Sequence, residues 1–273
     1  MARHLGNIFD WLLHRPAYLL MTAPAGGLQS QPPRRFERAW IGLMLLSLGW
    51  GLLSFGIWVL CQQAFGYGSH SVPALVTGAA FCLWLYRRSL ISTAEVLAPS
   101  DASARALVLA LLALAVVGVY SAFTGGEAIR EFDFPPALSW LAWLRPYERH
   151  YRLLLLAPLW GGWAMIIGPK FCRLSPAAEP AVAAFAGGCG PFRAVLCMVL
   201  PLAGTLFYFQ YLHWSWQIII PAVTIVTALA AAWVCSRRQG LRRSTLLAAN
   251  VLTQLVFLLT YMAGLNLGGK TNY

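Results

Sequence analysis

Residues 39–86 read AWIGLMLLSLGWGLLSFGIWVLCQQAFGYGSHSVPALVTGAAFCLWLY, a stretch without a single Lys, Arg, Asp or Glu. Residues 194–236 lack charge in the same way. A charged side chain at the centre of a bilayer costs about 3 kcal/mol on insertion scales. Uncharged apolar tracts of this length are therefore typical of segments that cross lipid, and the sequence predicts a polytopic membrane protein.

The apolar stretches between the charged loops predict about seven membrane spans, because roughly 20 apolar residues cross the hydrocarbon core. The predicted spans are residues 40–62, 71–86, 106–124, 153–169, 194–211, 216–235 and 246–265. Helices are expected because a backbone in hydrocarbon must satisfy its own hydrogen bonds, and the alternating pattern of a membrane barrel is missing. The predicted fold class is all-α, a helical bundle over residues 39–268.

The basic residues predict the orientation of this bundle. The formal net charge is +11, but Lys and Arg are scattered among short loops, which argues against nucleic acid as a partner. Counted loop by loop, 15 of the 20 Lys and Arg residues fall on one side of the predicted bundle. The positive-inside rule then predicts a membrane protein with its N-terminus in the cytoplasm and its C-terminus outside.

Two segments flank or interrupt the predicted spans. Residues 1–38 predict a cytoplasmic or interfacial amphipathic segment, with a gate over a cytoplasmic site as the alternative. The outer loop 125–152 combines tryptophans and prolines with acidic and basic residues, a pattern typical of a solvated, salt-bridged surface. The six cysteines form no CxxC pair, so neither a zinc site nor a disulfide framework is indicated.

Three stretches resemble motifs of one enzyme family. Residues 240–259 read GLRRSTLLAANVLTQLVFLL, residues 19–24 read LLMTAP and residues 154–165 read LLLAPLWGGWAM. In this order they resemble three motifs of the cobalamin synthase family, adenosylcobinamide-GDP ribazoletransferase. These are its C-terminal G-G-x-T-G-D turn and following helix, its opening F-x-T-R-L-P and its mid-chain L-L-A-P-x-x-G-R-W-A-M. In order and spacing the three matches extend over almost the whole chain, from residue 19 to residue 259.

The resemblance implies a transferase of cobalamin nucleotide-loop assembly in a bacterial inner membrane. In that reaction ribazole or its phosphate attacks the diphosphate of adenosylcobinamide-GDP and releases GMP, with Mg²⁺ as cofactor and a corrinoid nucleotide as substrate. The family's acidic cluster, D-G-L-A-D-x-x-D, aligns with RSLISTAE at residues 88–95. The resemblance therefore implies Glu95 as the catalytic and metal-binding carboxylate, and Ser244 as the catalytic position in the last inner loop.

The chain departs from the family where charge is expected. Arg88, Ser92 and Ser244 stand at positions of aspartates, Gln254 at that of another acid, and Ala23 and Gly162 at those of arginines. A Mg²⁺ site draws on several anionic oxygens, so one glutamate flanked by arginines makes a poor one. Thr253 and Gln254 in the last span predict a polar strip that faces the bundle interior.

The same loops carry arginines that suit an anion. Guanidinium forks pair well with phosphate, and the predicted phosphate-binding residues are Arg87, Arg88, Arg237, Arg238, Arg242 and Arg243. Anchoring to anionic headgroups explains these arginines equally well without a ligand.

Three functional hypotheses remain open from the sequence. The first is a Mg²⁺-dependent transferase, and the second is a catalytically silent membrane scaffold or binder of a phosphorylated or amphipathic ligand, with no cofactor. The third is a small transporter, for which the spans offer few ionisable residues.

Overall fold

The computed structural model describes residues 33–65, 71–122, 149–209 and 212–268, together with Leu19, and these residues form helices and no strand. The α-helices are α1 Ala39–Phe65, α2 Ser71–Ala80, α3 Arg87–Leu97, α4 Ala102–Ala122, α5 Arg149–Phe171, α6 Pro180–Gly188, α7 Pro191–Tyr208, α8 Trp214–Gln239 and α9 Arg243–Gly268. A 3-10 turn, Pro33–Arg38, precedes α1, and a π-helical turn, Phe81–Leu85, extends α2. The all-α fold class is confirmed.

Six of these helices are long and apolar enough to cross a membrane: α1 with its preceding turn, α4, α5, α7, α8 and α9. They correspond to all the predicted spans except the second. Helix α4 is the most outward-facing, with only 11% of its apolar window buried, and its Leu107, Leu111 and Leu114 are exposed. A contiguous apolar face of this kind is typical of lipid contact and rare on soluble monomers.

Helices α5 and α9 form the centre of the bundle. Their apolar windows are 78% and 67% buried, against at most 39% for the other four candidate spans. The indole of Trp160 in α5 donates a hydrogen bond to the Thr205 hydroxyl of α7 at 3.0 Å, and that of Trp163 donates to the Ala194 carbonyl at 2.9 Å. The N–H groups of these two buried indoles thus find acceptors, as burial in an apolar interior favours.

The second predicted span, residues 71–86, differs from the prediction. The apolar helix here, Val72–Leu85, is too short to count among the candidate spans, so seven spans are not confirmed. After Tyr86 the chain continues directly as α3, where the sequence analysis expected a loop. Helix α3 is amphipathic: Ser89, Leu90 and Thr93 are buried while Arg87 and Arg88 are exposed. A search for apolar windows does not detect a helix whose one buried face carries hydroxyl groups.

Helix α3 lies antiparallel to α9. The C-terminal end of α3 lies near the start of α9. There the side chains of Gln239 and Arg238, at the end of α8, donate to the Glu95 carbonyl at 3.2 Å and to the Leu97 carbonyl at 3.0 Å. At its other end, Tyr86 lies beside Gln254, about three turns into α9. The buried face of α3 therefore follows the first three turns of α9.

Parts of the predicted organisation fall outside the described residues. These are residues 1–32 other than Leu19, including most of the LLMTAP stretch, and nearly all of the predicted outer loop 125–152. Leu19 itself is helical and fully buried.

A glycine in α1 permits close contact with α5 and gives the first prediction. A Cβ added at Gly51 would lie 2.9 Å from the Leu155 Cα and 3.0 Å from the Leu154 carbonyl oxygen. Both are backbone atoms that move only with the helix. We expect Gly51→Ala to lower the free energy of unfolding by about 1–3 kcal/mol, measured as a lower melting temperature of the protein in detergent.

Gly49, two residues earlier, is the matched control. A Cβ there meets nothing within 4 Å, so Gly49→Ala should leave the melting temperature unchanged or raise it slightly. Equal melting temperatures for the two variants would contradict the predicted packing of α1 on α5.

Candidate functional site

Three segments that are far apart in sequence meet around a pocket of about 200 Å³, here called the arginine pocket. The segments are α3, the loop between α5 and α6, and the start of α9. The lining residues are Arg88, Ser92, Glu95, Ala177, Glu179, Arg242, Arg243, Ser244 and Leu247. These segments follow the second, fourth and sixth predicted spans, so the predicted topology places all three on the side of the bundle that carries most of the basic residues.

Five of the residues predicted for the site line this pocket: Arg88, Glu95, Arg242, Arg243 and Ser244. The structure brings Arg88 and Glu95 next to the last three although about 150 positions separate them in the sequence. The two catalytic candidates, Glu95 and Ser244, thus share one pocket with three of the six predicted phosphate-binding arginines.

The other three predicted arginines lie outside the pocket. Arg87 is exposed on α3. The guanidinium of Arg237 lies over the Trp233 ring, 4.9 Å from its centroid, and Arg238 donates to the Leu97 carbonyl. Arg238 therefore fixes the end of α3, and Arg237 packs on its own helix.

The loop before α9 is fastened to the loop after α5 by main-chain hydrogen bonds. The Leu241 N–H donates to the Arg173 carbonyl at 2.8 Å, and the Ser175 N–H donates to the Leu241 carbonyl at 3.3 Å. Gly240, which ends α8, has a φ of +72°, a conformation that favours glycine. This turn directs Arg242 toward Ser175, whose hydroxyl accepts a 2.8 Å hydrogen bond from the Arg242 Nε.

The start of α9 adds a second source of positive potential. Its first turn contains no acidic residue, so no side chain there offsets the partial positive charge of the helix N-terminus. The Thr245 hydroxyl accepts from the Arg242 N–H at 2.8 Å and fixes the turn that leads into the helix. Arg243 and Ser244 belong to this first turn and line the pocket, which places an anion-favouring helix end beside the guanidinium groups.

Two carboxylates share the pocket with the arginines. Glu95 comes from α3, and Glu179 immediately precedes α6. Glu179 was not predicted from the sequence, because no motif of the resemblance covers it. The available signal was an acid directly before a helix that begins with proline. Among the described residues, the Glu95 carboxylate forms no ion pair within 4 Å, and only its main-chain oxygen accepts a hydrogen bond.

The oxygen ligands in the pocket show how far it fits the Mg²⁺ that the resemblance implies. In the described ranges, no three His, Cys, Asp or Glu side chains converge as metal ligands. Mg²⁺ is commonly held by one or two carboxylates when substrate phosphates complete its coordination. Glu95 and Glu179 meet that minimum, but only together with a phosphorylated ligand.

Beyond the pocket, the interior of the bundle is polar around Asn250 and Gln254. The Gln254 side chain donates to the Asn250 carbonyl oxygen at 2.7 Å, and Asn250 donates to the Met165 sulfur at 3.4 Å. Thr253 and Gln254 are fully buried, which confirms the predicted inward-facing strip. A Cβ at Gly161 would lie 2.7 Å from the Gln254 Nε2, so the amides occupy the space that this glycine leaves.

All six cysteines are unpaired thiols, and Cys189 is buried. Burial raises the pKa of the Cys189 thiol, which lies between α6 and α7, to about 12, although Lys170 and Arg193 act in the opposite direction. This thiol is therefore protonated at neutral pH and is neither a nucleophile nor a ready metal ligand.

Comparisons with protein-family models, with curated proteins and with solved structures find no match for this chain.

The turn at Gly240 generates a prediction about the integrity of the pocket. A Cβ there would lie 2.9 Å from the Ser175 Cβ, and the positive φ is strained for any other residue. We expect Gly240→Ala to lower the free energy of unfolding by about 1–3 kcal/mol, read as a lower melting temperature in detergent. Gly190→Ala is the control, because Gly190 has a φ of −75° and no neighbour within 4 Å of an added Cβ. If both variants melted at the wild-type temperature, the fastening of the two loops would be refuted.

Proposed function

We propose that this chain is an integral membrane protein, diverged from cobalamin synthases, that holds the phosphate group of an amphipathic ligand in the arginine pocket. One observation carries the proposal: Arg88, Arg242 and Arg243 line one small volume together with the first turn of α9. The volume suits a phosphate or diphosphate group and leaves the body of a larger ligand outside. No cofactor is needed for binding of this kind.

The arginines differ in how they are held. The Arg242 guanidinium is positioned by its hydrogen bond to Ser175, which lowers the entropy lost when it binds a phosphate. Arg88 is exposed and forms no hydrogen bond, ion pair or ring contact with another described residue, so its fork is available to a ligand. Planar forks of this type bind phosphate oxygens in pairs.

The location of the pocket follows from a proposed topology. If α2 and α3 together make one crossing, the chain crosses the membrane seven times. The N-terminus, the start of α9 and the loop after α5 then share the cytoplasmic side. This arrangement agrees with the 15 of 20 basic residues that the sequence assigns to that side. The ligand would therefore enter from the cytoplasm or from the inner leaflet.

The absence of acidic residues at three family positions favours ligand binding without transfer of ribazole. Arg88, Ser92 and Ser244 line the pocket at positions where the resemblance implies aspartates. Transfer of ribazole requires compensation of the negative charge that develops on the departing GMP. Binding of a phosphate requires only the positive side chains that are present.

The transferase itself is the second candidate, and Glu179 is the observation that favours it. With Glu95 it gives two carboxylates on separate elements, and these are the residues that would hold Mg²⁺ together with substrate phosphates. The metal, when bound, would supply charge compensation at the diphosphate.

A binding measurement with GDP tests the main proposal. We expect the double variant Arg88→Gln with Arg242→Gln to lower the affinity for GDP at least about tenfold, because two charge-assisted contacts are lost. Titration calorimetry of the purified protein in detergent measures this, and raising the salt concentration should weaken wild-type binding. Arg87→Gln with Arg237→Gln removes the same charge outside the pocket and should change the affinity less than about twofold. Equal losses in the two double variants would indicate general electrostatic attraction instead of a site.

A turnover assay separates the two candidates. Purified protein with adenosylcobinamide-GDP, ribazole and Mg²⁺ should form no cobalamin, as monitored by mass spectrometry. Cobalamin formation that Glu95→Gln abolishes would establish the transferase in its place.

A further inference from the structure

We infer that the ligand of the arginine pocket is a zwitterion: a phosphate ester of an amino alcohol whose amine is protonated. The headgroup of phosphatidylethanolamine and free phosphoethanolamine share this chemistry. The inference rests on the proposed function, since it specifies which phosphorylated group the pocket holds. It comes from the mixture of charges in the lining, three arginines with two glutamates.

A simple anion or a simple cation meets like charge as well as opposite charge in this lining. A phosphate that pairs with the arginines also stands near Glu95 and Glu179, which repel it. A metal cation that pairs with the two carboxylates stands near three guanidinium groups. A ligand with one negative and one positive end meets opposite charge at both ends.

The positions of the charged residues allow such a ligand to be oriented. Arg88 and Glu95 are seven residues apart on α3, which places them about 10 Å apart along its axis and on the same side of the helix. Both line the pocket, with Ser92 between them. A ligand in the pocket can therefore meet the Arg88 guanidinium at one end of this face and the Glu95 carboxylate at the other.

The carboxylate of Glu95 is not neutralised by the surrounding arginines. It forms no ion pair within 4 Å in the part of the chain that the structure describes. An ammonium group carries three N–H donors and no acceptor. The Glu95 carboxylate and the neighbouring Ser92 hydroxyl group offer acceptors for those donors.

The pocket also has apolar contacts for a short linker. Leu247 of α9 and Ala177 of the loop complete the lining. Both a lipid headgroup and a soluble ester present a two-carbon linker between the phosphate and the amine. The recognised chemistry is the same, and only the attached acyl chains distinguish the two sources.

A pair of matched probes tests the inference on the full chain in a non-ionic detergent. Phosphoethanolamine and ethyl phosphate have the same phosphate and chain length, but only the first carries an ammonium group. We expect the wild-type protein to bind phosphoethanolamine about fivefold more tightly, as measured by titration calorimetry. Glu95→Gln with Glu179→Gln should abolish this preference and strengthen binding of ethyl phosphate. Glu95→Gln alone should reduce the preference, and a melting curve checks that each variant is folded.

The outcomes separate this inference from the proposed function. If ethyl phosphate bound to the wild type as tightly as phosphoethanolamine, the zwitterion would be excluded while phosphate binding stood. If neither probe bound, the proposed function itself would fail. If millimolar MgCl₂ made ethyl phosphate the tighter ligand, the carboxylates would serve a metal, and the inference would be overturned.

Two membrane environments distinguish the two sources of the zwitterion. In nanodiscs of phosphatidylethanolamine, a lipid headgroup in the pocket should compete with added phosphoethanolamine and weaken its apparent affinity. In nanodiscs of phosphatidylglycerol, which lacks the ammonium group, the added probe should bind at full affinity. Equal affinity in both nanodiscs would identify the soluble ester as the ligand.

Discussion

The packing of α3 against α9 determines the site. Helix α3 carries Ser89, Ser92 and Thr93 on its buried face, and hydroxyl groups are costly to expose to lipid. Helix α9 offers a partly polar surface, with Asn250 and Gln254 buried toward the bundle interior. Because α3 lies along the first turns of α9, Arg88 and Glu95 line the same pocket as Arg243 and Ser244. Without this contact Arg88 and Glu95 would lie apart from the start of α9.

The sequence allowed much of the architecture to be predicted, because lipid imposes a simple rule on composition. Six of the seven predicted spans appear as helices of sufficient length and apolarity. The resemblance and the distribution of basic residues also directed attention to residues 88–95 and 240–244, which the structure brings together. Their shared pocket depends on the hydrogen bonds between the loops at Leu241 and Ser175, for which no sequence pattern exists.

Other features were not predictable, for identifiable physical reasons. Helix α3 has low overall hydrophobicity because it packs on protein, and a rule based on lipid contact misses such a helix. Glu179 is distant in sequence from residues 88–95 and 240–244. It lines the pocket because the loop after α5 ends there. Gly162 stands where the resemblance implies an arginine, and a Cβ at this position would overlap the Ser47 hydroxyl of α1. The close approach of α1 and α5 therefore leaves no room for that side chain.

The central claim is that α3 and the start of α9 face the same aqueous compartment. Single cysteines at Ser100, Arg237 and Trp214, in an otherwise cysteine-free chain, test it by labelling intact cells with a membrane-impermeant maleimide. We expect Trp214→Cys to react from outside, whereas Ser100→Cys and Arg237→Cys should react only after the membrane is opened. Labelling of Ser100→Cys and Arg237→Cys from opposite sides would contradict the shared pocket and everything inferred from it.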